Sequence, residues 1–307
     1  MTPNLNRWAS APALATMTIL FCGPGILVAR GAQSSAQGAQ SAPAQQQQPA
    51  DKDKQPAPLA MDSPQSGTAA AAAPVAAPSA EEEAAFKAFQ AVPPNDIDKR
   101  IPLAEQFLQK YPQSRYRPVM YQTLVSGYLA KQEVPKMLDA GEKEIALNPN
   151  DTPVLGLMGQ TLARTVNTKS PNAMEQLNKA EQYSKRAIEV TPTLPKPPEL
   201  TDEQFVAAKN NALEMAYSGL GLVYLQKGKF TDAIPALENS VKADNHPEPD
   251  PVNWYLLGLA NEKASHFDAA VAAYTKCAAI QSSLQPNCKQ GIETAKKASS
   301  TQLSAPN

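Results

Sequence analysis

One stretch, from Tyr217 to Cys277, writes the same pattern twice. Tyr217 is followed three and four places on by Leu220 and Gly221, and Trp254 in the same way by Leu257 and Gly258. Ala233 and Ala270 each follow those glycines after 12 residues, and Leu237 and Tyr274 come four places later. Self-similarity of this kind is what a helical repeat array leaves in its sequence. It excludes most other folds, because each unit buries its apolar face only against its neighbours.

The spacing has a direct physical meaning. Residues three and four apart share one face of an α-helix. Tyr217, Leu220, Gly221 and Tyr224 therefore form a stripe on a first helix, and Ala233 with Leu237 starts a stripe on a second. Gly in a helix interior costs about 1 kcal/mol relative to Ala. Its use at both Gly221 and Gly258 points to helices that approach closely there. Gly228 falls where the turn between the two helices belongs.

These residues resemble the tetratricopeptide repeat, a helix–turn–helix unit of about 34 residues. Tyr217 and Trp254 take the leading aromatic position, Ala233 and Ala270 the following small one, and Leu237 and Tyr274 the next large one. Ser240, Cys277 and Asn261 are modest departures. The resemblance implies an all-α, helical-hairpin repeat array, an α-solenoid of about four units with a C-terminal capping helix. It also implies a non-catalytic scaffold or adaptor, whose first helices line a concave groove for a partner peptide or helix.

By position, that groove would be lined by Met215, Ser218, Leu222 and Leu225 in one unit, and by Tyr255, Leu259 and Glu262 in the next. Family members that bind chaperone tails carry a Lys/Asn clamp for a terminal carboxylate. Here those positions hold Ser218, Leu222, Tyr255 and Leu259, which implies an apolar or mixed partner. The alternative is that these side chains pack against the protein's own helices. A further alternative function is a structural or assembly factor of an envelope complex with no transient peptide ligand.

The expected repeat domain covers 80–300, with repeat units at 118–151, 152–192, 214–247 and 251–284. Residues 81–112 read as a degenerate hairpin, with Ser79 as helix cap and Pro102 inside its second helix. In the 118–151 unit, Val125, Met137 and Glu144 stand where small residues belong, which predicts packing that is looser or differently spaced. In the 152–192 unit, nine extra residues around Asn167 to Asn172 predict an inserted loop. Thr201 and Gln204 read as a capping box, opening a helix from Asp202 to about Gln226 whose first half projects from the array or braces the third unit. A cap is expected over 286–298, with a Lys-rich exposed side.

The N-terminal part has a different character. Arg7 and the apolar run from Pro12 to Val28 read as an export signal over 1–34, with small residues for cleavage near Ala32 to Ala36. An uncleaved anchor at the inner membrane is the alternative, and lipid attachment at Cys22 a weaker one, because bulky Phe21 precedes it. Residues 35–79 are rich in Ala, Gln and Pro with no periodic large apolar residue, and predict a disordered linker. The mature chain would then be periplasmic or secreted, with no membrane span.

Chemistry is sparse. The 307-residue chain has 28 Lys and Arg against 29 Asp and Glu, so no basic field points to nucleic acid. His246 and His266 both fall in expected turns without a second ligand at metal spacing. No enzyme and no cofactor are expected. Cys277 and Cys288 lie 11 residues apart across the turn into the cap. An oxidising compartment would permit a disulfide there. The alternative is a small buried residue at Cys277 and a free thiol at Cys288.

Overall fold

The computed structural model describes residues 78–303, with side chains through 301. The export signal expected over 1–34 and nearly all of the linker expected over 35–79 lie outside the described residues. The described chain is all helical. Consecutive antiparallel helices stack as α1 (Ala80–Gln90), α2 (Ile97–Lys110), α3 (Arg117–Ala130), α4 (Val134–Leu147), α5 (Thr152–Thr165), α6 (Ala173–Val190), α7 (Asp202–Gln226), α8 (Phe230–Ala243), α9 (Pro251–Lys263), α10 (Phe267–Ala279) and α11 (Gln285–Leu303). Among the described residues, no helix is long and apolar enough to cross a membrane.

Local chemistry sets the helix starts. The side chains of Ser79, Asp96, Asp151 and Asp250 each accept a hydrogen bond from a first-turn amide of their helix, satisfying donors that helix geometry leaves open. Thr201 and Gln204 form a reciprocal capping box at the head of α7. Three hairpin turns share one backbone solution. Gln132, Gly228 and Ser265 have φ of 60°, 72° and 63°. In each, the following amide reaches back to close the helix: Glu133 to Tyr128, Lys229 to Tyr224, and His266 to Asn261. Only Gly adopts this left-handed conformation without steric cost. Pairing holds Gln132 and Ser265 there.

The two matching hairpins pack as their small residues demand. A Cβ on Gly221 would lie 2.4 Å from Leu237 Cγ, and one on Gly258 2.5 Å from Tyr274 Cδ1. Gly291 of α11 approaches the other side of the same ring, at 2.7 Å from Tyr274 Cε2. Tyr274 is thus held between two glycines and is 1 % exposed. The cap α11 runs to Leu303, longer than the expected 286–298, and packs through Cys288, Gly291 and Ala295.

Of the two expected alternatives for the hairpin α3–α4, looser or differently spaced packing, the structure takes the second. Val125, Met137 and Glu144 are 1 %, 0 % and 0 % exposed. The space is recovered at Gly141, which stands where the C-terminal hairpins have Leu237 and Tyr274. Met158 of α5 fills the vacant volume, with its sulfur 2.3 Å from where a Gly141 Cβ would be. Large and small residues have exchanged places across the contact, and interior density is maintained.

At the N-terminal end, α1 and α2 close the array with an aromatic cluster. The rings of Phe86 and Tyr116 stack 3.8 Å apart, and Phe107 meets both edge-on. The Tyr116 hydroxyl donates to Glu83, which also pairs with Arg115.

Candidate functional site

The expected groove residues sit on α7 and α9. Met215, Ser218, Leu222, Leu225 and Leu259 are each buried, while Tyr255 and Glu262 are half-buried. They do not form an open apolar surface. The reason lies in α5. The positions of α5 that correspond to Ser218 and Leu225 are Gly156 and Ala163. A Cβ on Gly156 would lie 2.9 Å from the Ala212 carbonyl oxygen, and one on Gly219 2.8 Å from the Gln160 nitrogen. The backbones of α5 and α7 are therefore in contact, and Gln226 Nε2 donates to the Ala163 carbonyl at 2.7 Å. Leu222, Leu225, Leu256 and Leu259 join one core with Leu162.

The first half of α7 braces the preceding unit. Lys209 Nζ donates to the Pro192 carbonyl at 2.9 Å and lies over the Phe205 ring. Val206, on the same half-helix, is 55 % exposed.

An unexpected polar seam runs beneath this packing. Glu214 of α7 is 7 % exposed and accepts from Asn253 Nδ2 of α9 at 2.5 Å. Burial, opposed by that bond, pushes its carboxyl up to about 7. Arg164 of α5 reaches Asp250, the cap of α9, at 3.8 Å. Asp250 is also held by its backbone amide, which donates to Asp244. These contacts tie α5, α7 and α9 together. The only sequence signal for them was a Glu and an Asn inside otherwise apolar helix faces.

The inner face of α3 differs. Val119, Gln122, Ser126 and Leu129 occupy the positions equivalent to Met215, Ser218, Leu222 and Leu225, and all four are half-buried, with Val119 and Leu129 against the N-terminal core and Gln122 Nε2 donating to Asp151 of the α5 cap at 2.6 Å. The backbones of α3 and α5 stand farther apart than those of α5 and α7, and the two helices share a core through side chains that include Met120, Leu124, Val154 and Leu157. On the opposite side of α3, a shallow cleft of about 310 Å³ is lined by Leu108, Tyr121, Tyr128, Lys136 and Lys143, among others. Its Tyr128 hydroxyl donates to Glu105.

Cys277 and Cys288 are joined in a disulfide, with Cα atoms 5.8 Å apart, and both are fully buried. It links the end of α10 to the start of α11. Both histidines are exposed, with His246 paired to Asp244 at 2.9 Å. Among the described residues, no three His, Cys, Asp or Glu side chains are placed to hold a metal ion.

A tetratricopeptide repeat family model matches residues 216–247 and 252–283, the two hairpins α7–α8 and α9–α10. The chain carries tetratricopeptide repeats. Solved structures that resemble the chain at low identity include three bacterial proteins. A thermophilic TPR protein of Thermus thermophilus is 17 % identical over 70 % of this chain and 99 % of its own, with a TM-score of 0.43. A double mutant of MamA RS-1 is 14 % identical over 74 % and 99 %, at 0.46. PilW, a widely conserved type IV pilus biogenesis factor, is 13 % identical over 72 % and 90 %, at 0.44. Curated proteins give no significant match.

Proposed function

We propose that the protein is a non-catalytic protein–protein interaction scaffold of the cell envelope, and that its partner docks on the inner face of α3. The observation that carries this reading is the contrast in exposure along one set of repeat positions. Val119, Gln122, Ser126 and Leu129 are partly accessible where Met215, Ser218, Leu222 and Leu225 are buried. Tetratricopeptide repeats commonly present such faces to peptides or helices, and a strip with Val119 and Leu129 flanking Gln122 and Ser126 suits a partner helix of mixed polarity. Export is supported by Arg7 with the apolar run from Pro12 to Val28, and by a disulfide that suits an oxidising compartment.

A photo-crosslinking residue at Ser126 tests the docking face in cells. A discrete adduct should form and should disappear when Val119→Asp and Leu129→Asp are added. No adduct at Ser126, with adducts from the outer face instead, would overturn the assignment. An alkaline phosphatase fusion after residue 79 tests export, and an inactive fusion would place the chain in the cytoplasm.

The second reading is a structural or assembly factor without a transient ligand. The closed face of α7 favours it, since residues that would line a groove there are spent on the protein's own core. Stable co-purification of a partner resistant to the Val119→Asp and Leu129→Asp changes would support that role.

A further inference from the structure

The connector from α6 to α7, residues 191–200, carries four prolines, Pro192, Pro195, Pro197 and Pro198. After one 3₁₀ turn over Thr191–Thr193, residues 194–197 belong to neither helix nor turn. Local sterics fix their shape. A proline ring holds φ at about −65°, and the residue before a proline is pushed to an extended ψ. Leu194, Lys196 and Pro197 each precede a proline. Leu194 has φ −62° and ψ 131°, within the scatter of polyproline II. That conformation is a left-handed helix of about three residues per turn.

Exposure along the connector follows the same period. Pro192, Pro195 and Pro198 are exposed, and so are Thr193, Lys196 and Glu199. Leu194, Pro197 and Leu200 are half-buried. One ridge of the three is turned toward the protein, and two face solvent, one of them made of prolines. Contacts at both ends hold this shape. Thr193 Oγ1 donates to the Val190 carbonyl at 2.8 Å, Lys209 Nζ to the Pro192 carbonyl at 2.9 Å, and the Leu200 amide to the Pro197 carbonyl at 3.2 Å. Lys196 pairs with Asp202 at the head of α7. The second proline-rich connector, between α8 and α9, lacks this order. Pro247, Pro249 and Pro251 are two places apart, and a three-fold helix does not bring them onto one ridge.

A preformed, exposed polyproline II segment is a ligand in its own right. Its backbone has little freedom left to lose on binding, and its proline ridge fits the spaces between aromatic side chains. We propose that residues 194–198 are a recognition segment for a partner domain with an aromatic-lined, polyproline-binding groove, in which Pro195 and Pro198 are seated. Lys196 lies on the adjacent exposed ridge. It can exchange Asp202, whose side chain is 83 % exposed, for an acidic side chain at the rim of that groove. The segment lies outside the α3 face and works independently of it.

A photo-crosslinking residue at Glu199 of the full chain, expressed in cells, tests the assignment, with the crosslinked position on the partner read by mass spectrometry. The adduct should map to an aromatic-lined groove. Its yield should fall about tenfold in Pro195→Ala with Pro198→Ala, and should not change in Pro247→Ala with Pro249→Ala. Purified SH3 and WW domains are the probes in vitro. At least one should bind the full chain and lose about tenfold in affinity with the Pro195→Ala and Pro198→Ala pair. Both prolines are exposed, so the helical circular dichroism of that variant should match the parent's. If it does not, Lys196→Glu, which leaves the prolines in place, should still lower yield and affinity by about threefold. An adduct mapped outside an aromatic-lined groove overturns the proposal. So does an adduct or probe binding that survives the proline changes, or the absence of both adduct and probe binding. An adduct at Ser126 that persists when the one at Glu199 is lost separates failure here from failure of the α3 face.

Discussion

The α3–α4 and α9–α10 hairpins fill the same repeat positions by opposite means. In α9–α10 the first helix is thin at Gly258 and the second brings the large ring of Tyr274. In α3–α4 the first helix is thick at Val125, and the second is thin at Gly141, into which Met158 of the next unit reaches. The C-terminal solution is self-contained and then sealed by α11. The N-terminal solution borrows its filler from α5, so its core is completed only by the next unit. Volume at a contact is conserved, while the residue that supplies it is free to change.

The largest expected effect breaks the C-terminal half of this comparison. Tyr274→Ala removes a ring enclosed by Gly258 and Gly291 and should cost about 3–5 kcal/mol in urea unfolding. Asp substitutions separate closed from open faces. Leu222→Asp buries an unpaired charge and should cost about 4 kcal/mol or unfold the C-terminal half. Leu129→Asp at the equivalent position should cost less than about 1 kcal/mol. Equal costs would mean that α3 is as closed as α7. Cys277→Ser with Cys288→Ser should cost roughly 2–3 kcal/mol by loop closure, with the loss confined to α10 and α11 in hydrogen exchange.

Smaller changes sharpen the picture. Gly141→Ala drives a methyl into Met158 and should cost about 1–3 kcal/mol. Combining it with Met158→Ala should give a strong non-zero coupling energy. Protons provide a comparison of the two halves. Glu144 and Glu214, pushed up to about 8 and about 7, both bind protons more tightly in the folded chain than unfolded. Stability should therefore be greatest at mildly acidic pH and fall as pH rises from about 4.5 to about 8. The thermal midpoint should drop by on the order of 10 °C between pH 5.5 and pH 8.5, and by less in Glu214→Gln. At the turns, Ser265→Gly should raise stability by about 0.5–1 kcal/mol by relieving its left-handed conformation.

Much of the fold was legible because its signals are local. The caps at Ser79, Thr201 and Asp250, the 25-residue α7, and the small–large pattern of Gly221 with Leu237 each depend on a few neighbouring residues. The binding surface was not legible. Positions matching Met215 and Leu222 line a groove only if the neighbouring first helices stand apart. Whether they do depends on Gly156 and Gly219, which belong to different units. The role of Gly291 was missed for the same reason, since its partner Tyr274 is on another helix.

Sequence by itself determined the helical hairpin, its period and its turns, because residues three and four apart meet on one helix whatever surrounds it. It also brought Cys277 and Cys288 to either side of one short turn. Tertiary structure decided which helix faces remained open and which buried polar groups, such as Glu214 and Asn253, came together. Those outcomes depend on how closely α5 approaches α7 and how little it approaches α3. That is a property of paired surfaces from different units, which no single helix encodes.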